Sequence, residues 1–432
     1  MSAFQNTCDV VIEGGLIALL VFAPACLGAV HPLAFAVLQA AMFVLAVAWA
    51  MKAGLRETSA STPGRRRVAT VCIATFMVYG LVQWLSLASF MPTTASGYAT
   101  RVALGKALTY AMAFLLVVGN LRRRDQLRRI TTAILCIGAV IALLGLVQIL
   151  APMDSIYWWW KPEDGVRPFG PYMSKTHFAG YMVMAIPLAL CSALAQRETK
   201  ASGRWLPILP GAAAAVMLLA LLFCRAPEGI VAFLVSSLFL LIFAGSKNHA
   251  KVKNIFGMVG AAGLIALLWL LAPTILGNAV VGNEKALIWR GAVRMWRNSP
   301  VWGVGAGTFA NVFPAYQNPA LGAADVASAS SDLLQALVEV GVVGFAIAMA
   351  FFTTWWVQSI RAWRLGKDIG DRWVIAGGMA SAAGMFALGL FTSCFRAPAN
   401  AFAFAVVLGV GYSLAELALD RESEEKRQAV EE

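Results

Sequence analysis

The sequence predicts an all-α polytopic membrane protein, with about 12 transmembrane helices and one long extramembrane loop that carries short helices. Three observations predict it. Sixty per cent of the residues are apolar and 13% are charged, and the mean hydropathy is +0.73, far from the balance of a soluble domain. Apolar runs recur at a length of roughly 20 residues, which is what a bilayer core about 30 Å thick requires. Nothing alternates like a barrel strand, and lipid offers an exposed backbone no hydrogen-bond partners, so the runs must be helices.

The runs are 12–29, 32–51, 68–87, 104–119, 130–151, 177–195, 207–223, 229–245, 256–273, 332–358, 374–394 and 399–416. They divide the chain into 1–273, with nine spans and a loop at 152–176, a long loop at 274–331, three more spans in 332–416, and a tail at 417–432. The first run lacks a basic leader and is followed directly by a second, so it reads as a retained helix rather than a cleaved signal.

Lysine and arginine set the orientation. With a cytoplasmic N-terminus, the inner connections hold about two-thirds of the 34 basic residues, including Arg65-Arg66-Arg67 and Arg122-Arg123-Arg124, and both termini lie inside. The net charge of +12 is thus mainly a topology signal. Basic residues scattered over many short loops argue against nucleic-acid binding. The seven cysteines form no CxxC pair, and the three histidines are too few to build a zinc site unaided.

The remaining cations fall on the outer side against that bias: Arg101, Lys106, Lys161, Arg167, Lys175, Arg225, Lys285, Arg290, Arg294, Arg297 and Arg396. Singly, each can snorkel to lipid phosphates. Together they suggest an anionic ligand at the outer leaflet, and arginine's planar fork suits phosphate oxygens. Arg225 stands between two apolar runs, where a charge is costly; it is either functional or paired with Glu228. Tyr157 and Trp158-Trp159-Trp160 read as an interfacial belt or a stacking platform. His177 opens the sixth run. In the long loop, Trp289, Val293 and Trp296 alternate with Arg290, Arg294 and Arg297 as in an amphipathic helix lying along the membrane. Gly303, Gly305 and Gly307 permit close backbone approach to a ligand or a neighbouring helix. Glu339 shares a helix face with Asp332 and Gln335 and would enter the bilayer, so it is functional or paired.

Three stretches carry a resemblance to the O-antigen ligase and Wzy-type polymerase superfamily. These are RPFGPYMSKTHFAGYMVMAIPLAL, Arg225 between two short-linked helices, and the run from KALIWRGAVRMWRNSPVWGVGAGTF to SSDLLQALVEVGVVG. Together they span roughly residues 157–345. The resemblance implies a GT-C-like membrane glycosyltransferase of the bacterial inner membrane. Such an enzyme takes a glycan from an undecaprenyl-diphosphate carrier at the periplasmic face and transfers it to an acceptor hydroxyl, with no metal and no cofactor. It implies Arg167, Arg225 and Arg290, with Lys285 assisting, as the donor diphosphate site. Where the family usually has a histidine before its Leu-Gln helix, this chain has Ser330, which is no base without a partner. Asp332 is therefore the candidate for acceptor activation, and His177 the second. Lys285 stands where the family often has arginine, keeping the charge without the fork. The rival readings are a lipid-linked glycan transporter or flippase, and a non-catalytic family member acting as an assembly partner. Arg225→Ala is expected to abolish glycan transfer with the protein still in the membrane; a gel of envelope glycans showing normal polymer yield would remove Arg225 from the site.

Overall fold

The computed structural model describes residues 2–54, 64–85, 94–150, 156–157, 168–198, 208–245, 281–322 and 325–431. The apolar run 256–273, the Trp158-Trp159-Trp160 cluster and Arg167 lie outside the described residues. Among the described residues the long elements are all helices: α1 (Ser2–Ala25), α2 (Pro32–Gly54), α3 (Gly64–Leu85), α4 (Gly97–Asn120), α5 (Arg124–Leu150), α6 (Lys175–Glu198), α7 (Ile208–Phe223), α8 (Pro227–Gly245), α9 (Val281–Asn298), α10 (Asp332–Leu365), α11 (Ile369–Phe391) and α12 (Pro398–Glu431). A lone bridge joins Phe169 to Tyr172.

Nine of these, α1–α6 and α10–α12, are long and apolar enough to cross a membrane. The chain is a multi-pass membrane protein. The expected count of 12 divides into those nine, the run outside the described residues, and two shorter apolar helices. Those two are Ile208–Phe223 and Pro227–Ile242, each reaching about 24 Å at 1.5 Å per residue. Helices α6 and α12 form the middle of the bundle, with 89% of an 18-residue apolar stretch of each buried, against 17% for α2. The outer faces of α1, α2 and α5 expose Val, Leu and Phe side chains such as Leu33, Phe43 and Leu143. Lipid tails are the natural solvent for such faces.

The two ends of the bundle differ in chemistry. At one end, ion pairs tie helix termini together. Lys52 meets Asp9 and donates to Asn120 at 2.7 Å. Arg129 grips Glu13, and Arg124 reaches Asp368 at 2.9 Å and Asp371 at 2.7 Å. These residues belong to the connections that the basic bias assigns inside. The opposite end carries the turns, short helices and the cavity described below.

Helix α9 is amphipathic, as its sequence predicts, but its apolar side packs on protein rather than along a lipid surface. Ile288, Ala292 and Met295 cluster with Phe309, Phe313 and Val338, and Trp289 stacks on Phe391 at 6.5 Å. Arg290, Arg294 and Arg297 form the exposed face.

The glycine-rich stretch finds its partner in α10. That helix breaks at Gly341, which has φ 63° and ψ −175°. A break within a membrane helix frees carbonyl and N–H groups that lipid cannot satisfy. Residues 300–305 satisfy them: Val304 N–H donates to Val338 O at 3.2 Å, Gly305 N–H to Glu339 O at 2.9 Å, and Val342 N–H to Pro300 O at 2.9 Å. The Tyr79 hydroxyl from α3 donates to Val340 O at 2.7 Å and lies 2.9 Å from Trp302 O. Glu339, expected to be functional or paired, accepts the Gly307 N–H at 2.7 Å and the Gln335 amide at 2.9 Å. The glycines therefore serve the close approach of a neighbouring helix.

A Cβ on Gly341 would lie 2.3 Å from Val301 O, and one on Gly303 2.3 Å from Glu339 O; both glycines have left-handed φ. Gly341→Ala is expected to destabilise the fold by about 2 kcal/mol or more. Gly378→Ala, where a Cβ meets nothing within 4 Å, is expected to be neutral or mildly stabilising. Thermal unfolding of the two variants in detergent checks the contrast.

Candidate functional site

A cavity of about 830 Å³ opens at the end of the bundle opposite the ion-pair network. Every segment lining it comes from a connection or helix end that the basic bias marks as outer. The segments are the α1–α2 turn and the first turns of α2, the start of α4, the start of α6, Glu228 in α8, Lys285 in α9, Ser330 before α10, and the turn between α11 and α12.

Four cations face this space: Arg101, Lys106, Lys285 and Arg396. Arg101 lies over the Tyr98 ring at 5.6 Å and Lys106 over the Phe35 ring at 5.7 Å. A ring face attracts a cation at such a distance while shielding it from water on one side. Among the lining residues Glu228 is the one carboxylate, and it pairs with Lys285 Nζ at 2.7 Å. The partner for Glu228 is thus Lys285, from 57 residues away, not only the nearby Arg225 that sequence spacing suggests.

His177 lines the cavity. Its ring lies against the Ser393 backbone and near Arg396, and its Nδ1 is buried with no hydrogen-bond partner. Its backbone is fixed by Asn400, whose amide donates to His177 O at 2.8 Å and to Cys394 O at 3.3 Å. The Tyr172 hydroxyl in turn donates to Asn400 Oδ1 at 3.0 Å. Tyr172 belongs to the RPFGPY stretch, where Gln148 holds Gly170 through both its amide oxygen (2.6 Å) and its amide nitrogen (3.1 Å). One buried asparagine therefore joins the 172–177 stretch to the 394–400 stretch behind the cavity wall.

Asp332 is not among the lining residues. It is the first residue of α10, capped by Ser331. Its Oδ2 accepts the Phe395 N–H at 3.1 Å and the Cys394 thiol at 3.2 Å, and its own N–H donates to Thr392 O at 3.0 Å. Burial, with the Asp332 carboxylate alongside, holds the Cys394 thiol well above its usual range, so it stays a donor. The carboxylate thus braces the turn that ends in Arg396.

The other sequence-derived candidates separate. Lys285 is in the cavity. Arg225 is exposed on the α7–α8 turn with a left-handed φ of 54°, and Arg290 is exposed on α9; neither lines the cavity. Ser330, also left-handed at φ 51°, does line it. Sequence reasoning named Arg101, Lys106 and Arg396 as outer cations but did not gather them into the site. The signal was available, because each defies the positive-inside bias, but the distance in sequence between the Arg101–Lys106 pair and Arg396 hid the convergence. Among the described residues no three His, Cys, Asp or Glu side chains group as metal ligands.

Residues 212–349, from α7 to the first part of α10, match the family model described as O-Antigen ligase. A comparison with curated proteins finds no match. The matched segment contains Arg225, Glu228, Lys285, Arg290, Ser330 and Asp332; Arg101, Lys106, His177 and Arg396 lie outside it.

Proposed function

We propose that this protein, whose residues 212–349 match the family model described as O-Antigen ligase, transfers a glycan from an undecaprenyl-diphosphate carrier to an acceptor hydroxyl at the periplasmic face of the inner membrane. The single observation that carries the reading is a cavity with four cations and one already-paired carboxylate, at the end of the bundle away from the inner ion pairs. A diphosphate is the leaving group that such a site suits. As the bond between the sugar's anomeric carbon and the diphosphate oxygen breaks, negative charge accumulates on the phosphate oxygens. Fixed cations in a partly dry site stabilise that charge without reorganising.

Arg396 and Arg101 bind the diphosphate through their forks, and Lys106 and Lys285 supply point charges. The acceptor oxygen forms the new bond to the anomeric carbon, and its proton passes to a base. His177 is the base best situated, because among the sequence-derived base candidates it is the one that lines the cavity, beside Arg396. Asp332 acts through Arg396, as a positioning residue that braces the 392–396 turn. Arg225 and Arg290, which do not line the cavity, act in this reading as charges that draw the anionic carrier toward the site, so that Arg225→Ala lowers transfer rather than abolishing it.

A second reading is favoured by Ser330. The position that resembles the family's usual histidine lines the cavity yet offers no base, which suits a member that binds the carrier lipid without turning it over. Turnover of lipid-linked glycan by the purified protein separates the two. Arg396→Ala is expected to lower transfer on the order of 10²–10³-fold, and His177→Gln on the order of 10²-fold or more, with both variants keeping their membrane content. Wild-type transfer by Arg396→Ala would remove the cationic site from the mechanism; carrier binding with no turnover by the parent protein would establish the second reading.

A further inference from the structure

A second cavity, of about 700 Å³, opens near the inner ion pairs, at the far end of the bundle from the cationic site. It lies among α5, α6, α7, α11 and α12, and its two ends differ. Arg128, Gln196 and Asp371 gather at one end, near the start of α5, the last turns of α6 and the start of α11. The walls leading away are apolar, with Leu135, Ala139 and Leu143 on α5 facing Ala213 and Val216 on α7. The opening faces sideways, since its rim residues Leu143 and Leu209 are 50% and 69% exposed. In a spanning protein that direction is the lipid. A cavity of this size lies within the range of small-ligand sites, about 300–1,000 Å³.

Charge at the polar end favours an anion. Arg124, Arg128 and Arg421 stand around Asp371, with Asp368 beside them, and Arg124 already holds both carboxylates. Arg421 lines a neighbouring cleft with Glu422 and Glu425, so the cation left to this cavity is Arg128. Along α5, Arg128 and Leu143 are separated by about 22 Å at 1.5 Å per residue, while the apolar depth of one leaflet is about 15 Å. A chain that starts at headgroup level beside Arg128 can lie wholly within the groove. A polyprenyl chain, far longer, would leave most of its length outside.

We propose that this cavity is a binding site for one acyl chain of an anionic glycerophospholipid of the inner leaflet, with its phosphate at Arg128 and its chain running along α5 toward Leu143. The site is independent of the transfer reaction, sharing no lining residue with the cationic cavity. The test uses the full chain, purified in neutral detergent and titrated with phosphatidylglycerol or phosphatidylcholine of identical acyl chains, with retained lipid counted by native mass spectrometry. Phosphatidylglycerol is expected to be favoured about fivefold, the effect of a single arginine at an anionic headgroup, and Arg128→Gln to erase the preference. Ala139→Trp on α5 and Ala213→Trp on α7 fill the groove from opposite walls, and each is expected to reduce retention of both lipids about tenfold. Equal retention of the two lipids by the parent protein overturns the proposal. So does full retention by both tryptophan variants, or displacement of phosphatidylglycerol by undecaprenyl phosphate at equal concentration. Arg128→Gln alters an exposed side chain, so its result stands even where a tryptophan variant does not fold.

Discussion

The cavity end of this molecule depends on an interrupted helix. Where α10 breaks at Gly341, backbone groups that lipid cannot satisfy are taken up by the 300–305 turn and by Tyr79. That docking fixes the chain between α9 and α10. Ser330 and Lys285 reach the cavity from either side of the docked stretch, so their positions relative to α4 and α6 follow from a main-chain match of a few hydrogen bonds. The glycines are necessary because the carbonyls approach too closely for any side chain. Glu339 completes the arrangement by accepting the Gly307 N–H, which explains a carboxylate at that depth without assigning it chemistry.

Much of the fold was legible in the sequence. Eleven of the twelve apolar runs coincide with described helices, because hydrophobic length is the property that a bilayer selects. The sorting of arginines and lysines also foresaw which connections share an end: Arg124 and Lys52 lie among the ion pairs, while Arg101 and Arg396 lie at the cavity. Less legible was the fate of the amphipathic α9. Periodicity reports that one face is apolar, but it does not say whether lipid or protein covers it, and here Phe309, Phe313 and Val338 do.

The candidate site was legible by residue type more than by position. Outer cations pointed to an anion, yet sequence adjacency favoured Arg225 and Arg290, which stand on exposed elements. Arg101, Lys106 and Arg396 are brought together by packing among α4, α6 and α12 that no local pattern encodes. Asp332 illustrates the same limit. Its acidity and its place at a helix start suited a base, but the neighbouring turn supplies N–H and S–H donors that occupy one of its oxygens. Asn400 was invisible, since a lone asparagine inside an apolar helix carries no signal until its partners Tyr172 and His177 are seen beside it.

The contact between Lys285 and Glu228 gives the resting cavity a built-in competitor. An anion that approaches this ammonium must displace a carboxylate already 2.7 Å away. Chloride or acetate, each with one charge to offer, gains little from that exchange. A species with many oxygens can engage the other three cations first and win the lysine afterwards, so discrimination against ambient salt arises from multiplicity rather than from any single strong bond.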